Sequence, residues 1–220
     1  MRELQQGLWH WTAAHPQWEP DAAWGEHVSS YAADDGERLL LFDPLALPRE
    51  LERLASEREP VVVLTVPWHE RDARSLVARL GAELYTPPPD TREDLMRKFG
   101  VTAEEVGDGS PDLRWLQAEE APGAHLFLAG DRLPIGLEAF PGRGHNDLVL
   151  WLPSRRTVVA GDTLADFGRG LEVAPGWLPV GVTREQIRHE LRALLDLPVE
   201  LVLTAHGQPT DRAALERALA

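Results

Sequence analysis

The stretch "AFPGRGHNDLVLWLPSRRTVVAGDTL", residues 139–164, decides the fold of this chain. It contains a Pro-Gly turn, apolar runs at 148–152 and 157–160, and a Gly-Asp step that ends in Asp162. The short polar link "PSRR" between the two runs predicts an antiparallel hairpin. An acid placed directly after a buried strand needs a polar partner, so Asp162 is a candidate for a functional role.

The composition indicates the class of protein and argues against some partners and kinds of site. The chain has 220 residues, 43% hydrophobic and 26% charged, as expected for a globular protein. Its 36 Asp and Glu outnumber 22 Lys and Arg, and the net charge is -14. This excess argues against nucleic acid as a partner, because phosphate binding needs a concentrated positive field. The absence of cysteine excludes disulfides, thiolate metal ligands and a cysteine nucleophile.

The sequence contains no evident targeting or membrane segment. Its opening residues, Met-Arg-Glu-Leu-Gln-Gln, lack the apolar core of a signal peptide, and no apolar stretch approaches the roughly 20 residues of a membrane helix. We therefore expect a cytoplasmic protein without a membrane partner. Abundant Arg, Ala, Leu and Pro with little Lys are typical of GC-rich bacterial genomes. The length favours a single domain over residues 1–220.

Apolar patterning predicts an alternation of strands and helices. The run "RLLLF" at 38–42 predicts a strand, and the continuous apolar, β-branched run at 61–65 is typical of a strand buried on both faces. A helical pattern over 72–80 and a strand at 84–86 then complete a strand-helix-strand unit. Further predicted elements are a hairpin of 126–128 with 136–140, a helix over 184–195, a strand over 200–204 and a final helix from 211.

Residues 87–123 interrupt this alternation. The stretch opens with "TPPPD" and includes "GDGSPD" and "EEAPG", with one short predicted helix at 92–99. We interpret it as an insertion or a long surface excursion. Its acidic character is consistent with a solvated covering segment and also with a lid over a site.

Four apolar strands run directly into loops with acid-base or metal-binding side chains. Loops of this kind converge at one edge of a sheet, where ligands gather in sheet-helix proteins. The sequence therefore predicts a polar site at that edge. The loops are "VPWHERD" (66–72) after "VVVLT", "PGRGH" (141–145) after "LEAF", "GDT" (161–163) after "TVVA", and "AHG" (205–207) after "ELVLT".

These motifs, in this order, resemble the metallo-β-lactamase-fold superfamily. The resemblance covers most of the chain, including "VSSYAADDGERLLLFDP" at 28–44, and "AGDTL" at 160–164 is its most specific part. It implies an α/β fold, the αββα four-layer sandwich, with one or two metal ions, usually zinc, at one edge. It also implies hydrolysis of an ester, thioester, amide or phosphoester of a small molecule by a metal-bound water.

The family's ligand motif is degenerate here. The family has H-x-H-x-D-H after the strand-ending threonine, which corresponds to Thr65. In the same register this chain supplies Val66, Trp68, Glu70 and Arg71. Of these side chains, Glu70 is the one that can bind a metal, since an arginine carries no lone pair to donate.

The later motifs are partly retained. Arg143 replaces the histidine that the family places after Pro-Gly. Asp162 and His206 stand at the family's bridging-aspartate and last-histidine positions. Two interpretations follow from this pattern.

In the first interpretation, the metal site has shifted. One extra residue in the first loop would bring His69 to the second-histidine position and Asp72 to the last, and His145 would reach in from the neighbouring turn. With Asp162 and His206 these residues would hold one divalent metal, zinc or else iron or manganese, with an open position for water. Asp162 would be the catalytic residue of this divergent hydrolase.

In the second interpretation, the protein is a metal-free member of the fold. Arg71 and Arg143 would replace the charge of the metal and pair with Glu70 and Asp162. The remaining pocket, with Trp68 facing it, would bind a small molecule or a partner protein.

Two of the candidate ligands also have simpler explanations. Asp72 stands where a helix-capping acid is common. His145 precedes Asn146-Asp147 and suits a turn residue that bonds to the backbone.

Overall fold

The computed structural model describes residues 1–106 and 124–220, and its strands form two sheets. In this part of the chain the first sheet has seven strands, which lie side by side in sequence order. Strands β1 to β4 are antiparallel, whereas β4 to β7 run parallel. The strands are β1 (Arg2–Gln5), β2 (Leu8–Ala14), β3 (His27–Asp34), β4 (Arg38–Phe42), β5 (Glu59–Val63), β6 (Glu83–Thr86) and β7 (His125–Leu126).

The second sheet has six strands within the same described ranges, in the order β13-β12-β11-β10-β9-β8. The predicted hairpin joined by "PSRR" is confirmed as the antiparallel pair β10 and β11. Next to it, β11 and β12 run parallel. The strands are β8 (Arg132–Leu133), β9 (Leu137–Gly144), β10 (Asp147–Leu152), β11 (Thr157–Gly161), β12 (Leu201–Thr204) and β13 (Thr210–Asp211).

Helices cover the outer faces of both sheets. The described residues include no helix long and apolar enough to cross a membrane. The helix predicted over 184–195 is α-helical to Leu191 and continues as a 3-10 turn, Arg192–Asp196. The helices are α1 (Arg49–Leu54), α2 (Ala73–Leu80), α3 (Arg92–Phe99), α4 (Ala103–Val106), α5 (Arg184–Leu191) and α6 (Arg212–Leu219).

Alternating side chains in the strands build the layers. In β4, Leu40 and Phe42 belong to the core between the sheets, whereas Leu39 and Leu41 pack with the residues of α1 and α2. The same alternation in β10 divides its side chains between the inter-sheet core and the residues of α5 and α6. Both strands are apolar on two faces because both faces are buried. The αββα four-layer sandwich is thus confirmed.

The predicted hairpin of 126–128 with 136–140 is wrong. Strand β7 pairs in parallel with β6 of the first sheet, and β9 pairs instead with β8 and β10. Two short apolar runs separated by a turn do not reveal their partners, because strand pairing depends on contacts between distant segments. Of the 87–123 excursion, α3 agrees with the prediction, and 107–123 lie outside the described residues.

The two sheets touch at one edge, where β5 and β11 end. The amide of Leu148 donates to the carbonyl of Thr65 over 2.9 Å. Gly161 has a φ of +52°, and a Cβ added there would stand 2.4 Å from the Thr65 hydroxyl oxygen. A glycine is required by both constraints. This close approach brings the loops after β5 and β11 together.

We expect Gly161→Ala to lower the free energy of unfolding by about 3 kcal/mol, through left-handed strain and a clash with Thr65. Gly168 is the matched control, because its φ is +87° but nothing lies within 4 Å of an added Cβ. Gly168→Ala should cost only the backbone strain, about 1 kcal/mol. Urea unfolding at pH 7 measures both, and equal losses would contradict the proposed contact.

Candidate metal centre

His69 lies at the edge where the two sheets meet. After β5 the chain is extended at Val66 and then forms a 3-10 turn, Pro67–His69. Proline is favourable at the first position of such a turn because its ring fixes φ near the value that the turn needs. The turn buries the imidazole between two acids. Nδ1 lies 3.0 Å from Asp43 Oδ2, and Nε2 lies 3.1 Å from Asp162 Oδ1.

Asp43 fixes the orientation of that imidazole. Its carboxylate is buried and accepts hydrogen bonds from the amide and the hydroxyl of Thr65, at 2.9 and 2.7 Å. A carboxylate at Nδ1 sets the tautomer and leaves Nε2 facing the site. Sequence reasoning did not select Asp43, although it follows the apolar run "RLLLF" as directly as Asp162 follows its own strand.

Asp162 and His206 complete the cluster. His206 Nε2 lies 3.4 Å from Asp162 Oδ1. One donor atom each from His69, Asp162 and His206 lies within 4.8 Å of the other two. The structure thus brings together three of the five ligands predicted from the sequence, each from a loop that follows a different strand.

Arg143 contacts the other oxygen of Asp162. One guanidinium nitrogen donates to Asp162 Oδ2 over 2.9 Å, and Nε donates to Asp147. A further nitrogen donates to the carbonyl of Trp177 over 3.2 Å. Arg143 therefore makes the ion pair with Asp162 that the metal-free interpretation expects.

Arg71 bonds to the backbone of the first sheet. Its φ is 42°, an uncommon left-handed value for a long side chain. Its Nη1 donates to the carbonyls of Ser29 and Asp43, at 3.0 and 2.6 Å. Glu70 precedes it as the residue that directly follows the 3-10 turn. Arg71 ties the loop to β3 and β4 beside the cluster.

The remaining two predicted ligands lie elsewhere. Asp72 is the N-cap residue of α2, but its carboxylate accepts from the amide of Ala46 over 2.6 Å and does not cap the helix. His145 lies in the turn between β9 and β10, 3.6 Å from Asp94. Strand alternation would put His145 on the same side as Arg143, but the turn breaks that alternation and the imidazole faces α3.

His145 belongs to a second acidic group with Asp90 and Asp94. Lys98 Nζ already donates to both oxygens of Asp90, at 2.9 and 2.7 Å, and to Asn146 over 3.0 Å. Because the ammonium supplies the positive charge, this group is accounted for as an ion-pair network that holds α3 to the turn.

The comparison with known families agrees with this geometry. The family model described as the metallo-beta-lactamase superfamily matches residues 69–206, which include all three clustered residues. The chain belongs to the metallo-beta-lactamase superfamily. No curated protein matches its sequence.

Solved structures show the same fold. DIM-1 metallo-beta-lactamase is 15% identical with a TM-score of 0.65, covering 99% of this chain and 93% of that one. TTHA1429 from Thermus thermophilus, a metallo-beta-lactamase family protein, is 18% identical with a TM-score of 0.62, covering 98% and 78%. TTHA1623 in a di-iron-bound form is 24% identical with a TM-score of 0.56, covering 87% and 93%.

The charged groups at the centre of this superfamily member shift one another's pKa values. Burial lowers the pKa of His69, but the carboxylates of Asp162 and Asp43 outweigh it and raise that pKa to about 9. Burial lowers the pKa of His206 to about 4. Although burial acts to raise the pKa of Asp162, His69 and Arg143 hold it well below its usual value. Without a metal, the centre is therefore an aspartate between an imidazolium and a guanidinium.

The donor set fits one metal ion. Asp162 Oδ1 is buried and has no hydrogen bond of ordinary geometry from the described residues, although both imidazole Nε2 atoms face it. Zinc takes such nitrogen and oxygen ligands at about 2.0–2.2 Å, which puts neighbouring ligands of a tetrahedral ion roughly 3.3–3.5 Å apart. The distances of 3.1 and 3.4 Å from Oδ1 to the two nitrogens lie close to that spacing.

The cluster forms the floor of a pocket of about 500 Å³. Trp68, expected to face the pocket, lines it, and its indole nitrogen donates to Asp90 over 2.9 Å. Sequence reasoning selected neither Lys98 nor Trp177, because no local signal marks either one. The lining includes His15, Trp24, Trp68, His69, Arg71, Lys98, Phe99, Arg143, Asp147, Asp162, Trp177 and His206.

We expect the metal-free protein to lose stability between pH 6.5 and 9. The pKa of His69 is about 9 when folded, against 6.5 for an unperturbed histidine. Its contribution is therefore complete below pH 6.5 and is lost as the pH rises through 9. His69→Gln should remove this loss, measured by urea unfolding at both pH values with a chelator present. The control, exposed His189→Gln, should keep it; a loss undiminished in His69→Gln would refute the assignment.

Proposed function

We propose that this chain is a hydrolase of a small molecule that uses one divalent metal, zinc in the first place, held by His69, Asp162 and His206. The observation that carries the proposal is the convergence of these three donors within 4.8 Å on the floor of the pocket. Three protein ligands and an open position are typical of catalytic zinc sites. Superfamily membership supports hydrolysis, while fold alone does not determine function.

A bound divalent ion supplies Lewis-acid chemistry, by which it polarises the scissile carbonyl or phosphoryl group and eases the ionisation of water. The protein's own residues prepare the site for it. Asp43 holds Nδ1 of His69, so that Nε2 is directed at the cluster. Arg143 binds Oδ2 of Asp162 and thereby leaves Oδ1 to the centre of the cluster. His206 stays neutral through burial, which lowers its pKa, and keeps a lone pair available.

Aromatic side chains form the walls of the pocket beside His206. The indole of Trp177 packs against the ring of His206 at 4.8 Å between centroids, and the indole of Trp24 does so at 5.3 Å. Such apolar walls lower the effective dielectric and strengthen the electrostatic interactions on the floor. A substrate of drug-like size fits a pocket of about 500 Å³.

Metal binding tests the proposal directly. Wild-type protein, purified without an affinity tag and dialysed against zinc, should retain about one equivalent by elemental analysis. Asp162→Asn and His206→Asn should each weaken zinc binding by at least about 100-fold, because each removes one of three ligands.

His145→Gln is the matched control, since His145 lies in the separate group around Asp90. It should bind zinc like the wild type. Loss of zinc in His145→Gln, or retention in both Asp162→Asn and His206→Asn, would show that the metal is held elsewhere.

A second candidate function is favoured by the balance of charges. Asp43, Asp147 and Asp162 face Arg71, Arg143 and the imidazolium of His69, so that three acids meet three cations. This buried cluster is neutral without a metal, and buried charges need such pairing. The alternative is a metal-free member of the superfamily that binds a small molecule or a partner protein.

Arg143 distinguishes the two candidates. Arg143→His should tighten zinc binding at least about 10-fold, because it removes a competing charge from Asp162 and adds a nitrogen donor. Arg143→Gln removes the charge alone and should tighten binding less. Calorimetric titration of zinc into the three proteins measures the effect. A wild type that binds no zinc beside an Arg143→His variant that does would favour the metal-free function.

A further inference from the structure

Aromatic side chains dominate the walls of the pocket. The indoles of Trp24 and Trp177 meet the ring of His206 at interplanar angles of 70°, and the ring of Phe167 packs against Trp177 at 5.1 Å. Arg143 lies 5.4 Å from the centre of the Trp177 ring, a cation–π contact that holds this indole beside the floor. The metal-binding chemistry of the floor does not require such walls.

The mouth of the pocket is aromatic and exposed as well. Trp68 is 40% exposed and Phe99 is 54% exposed, and their rings meet edge to face at 6.1 Å. Exposed large apolar side chains grouped at a cavity commonly mark a binding surface.

Polar anchors hold this rim in place. Trp68 is fixed by Asp90, to which Lys98, the neighbour of Phe99, also binds. The carbonyl of Lys98 accepts from the amide of Val180 over 2.9 Å, which joins the end of α3 to the loop after Trp177. Because these side chains are already held in place, they lose little conformational entropy when a ligand binds. A fixed rim of aromatic rings favours a rigid, flat ligand.

The charges on the floor limit the ligand further. Each cation that lines the pocket already faces an acid: Lys98 binds Asp90, Arg143 binds Asp147 and Asp162, and Arg71 is attracted by Asp43. Without a metal, these described groups leave no surplus positive charge for a phosphate dianion. We therefore expect the reacting group of the ligand to be uncharged, because an anion buried there without a counter-charge would cost free energy.

We propose that the pocket binds an uncharged carboxylic ester, thioester or amide that carries a planar aromatic group, with Trp24, Trp68, Phe99 and Trp177 as its specificity-determining residues. That this ligand is a substrate rests on the function proposed above. In the reaction, water adds its oxygen to the carbonyl carbon, the bond to the leaving oxygen, sulfur or nitrogen breaks, and the leaving atom takes up a proton from water. The aromatic group lies against the walls while the reacting bond lies over His69 and His206.

Direct binding to the 220-residue chain tests this inference without reliance on turnover. The probe is 2-acetylnaphthalene, an uncharged ketone that cannot be hydrolysed. Its decahydro analogue keeps the carbonyl but has no flat ring, and 2-naphthylphosphonate keeps the ring but carries negative charge. Calorimetric titration should give 2-acetylnaphthalene a Kd at least about 10-fold below that of either analogue, because aromatic rings gain from contact with other rings.

Substitutions locate the binding. Trp24→Leu and Trp177→Leu should each weaken 2-acetylnaphthalene at least about 5-fold and change the decahydro analogue less than about 2-fold, because leucine keeps apolar bulk but no ring face. Both tryptophans are partly exposed, so folded variants are expected, and thermal unfolding checks this. Trp9→Leu is the matched control, since Trp9 packs on the outer face of the first sheet. It should leave both affinities unchanged.

Equal affinity for 2-acetylnaphthalene and its decahydro analogue, tighter binding of the phosphonate, or no binding of any probe would each overturn the inference. So would an unchanged affinity in Trp24→Leu and Trp177→Leu. The zinc titrations decide the hydrolase proposal separately. If the protein binds zinc but not the aromatic ketone, the hydrolase proposal stands and the proposed ligand class is wrong. If it binds the ketone but not zinc, the pocket binds aromatic ligands and the metal proposal is wrong.

Discussion

The buried charge of Asp162 is the constraint around which the site is built. A carboxylate in this position must be compensated, because removing an ion from water costs several kcal/mol even after relaxation. Two cations meet this demand, the imidazolium of His69 from the loop after β5 and the guanidinium of Arg143 from the end of β9, while the neutral ring of His206 lies beside them. These paired charges form the floor of the pocket. They already cancel one another before a metal or a further proton binds there.

That balance bears on both proposed functions, the one with a metal and the one without. With His69 protonated, the cluster of three acids and three cations is neutral. A divalent metal would bind in exchange for this proton, because an imidazole must lose its proton before it can act as a ligand. Arg143 thus does not by itself exclude a metal, since its contact is with Oδ2 of Asp162 and leaves Oδ1 to the histidines. We expect the charge of Arg143 to compete with a metal for Asp162, which a neutral histidine at this position would not do.

The fold supplies the geometry through one close approach between the sheets. Thr65 at the end of one sheet lies against Gly161 at the end of the other. Thr65 also orients Asp43, which in turn orients His69. The contact between Thr65 and Gly161 therefore both joins the two sheets and positions the site. A change in packing at this contact would move the donor atoms of the cluster.

Much of this structure could be predicted from local patterns. Apolar runs that end in polar loops indicated the strands around the site, and the order of its motifs indicated the four-layer sandwich. Asp162 was recognisable because it follows a buried strand directly, and His206 because it lies two residues after the end of another. Asp43 has the same pattern and could have been found by the same rule.

Other features depended on distant contacts. Asp72 and His145 are as plausible as ligands in the sequence as His69, yet one binds the amide of Ala46 and the other faces Asp94. The reason is geometric: a shift of one residue in a loop, or a turn that breaks strand alternation, redirects a side chain by several ångströms. The residue types available to the site were determined by the sequence itself. Which of them converge, and which tryptophans enclose them, was decided only when the two sheets packed together.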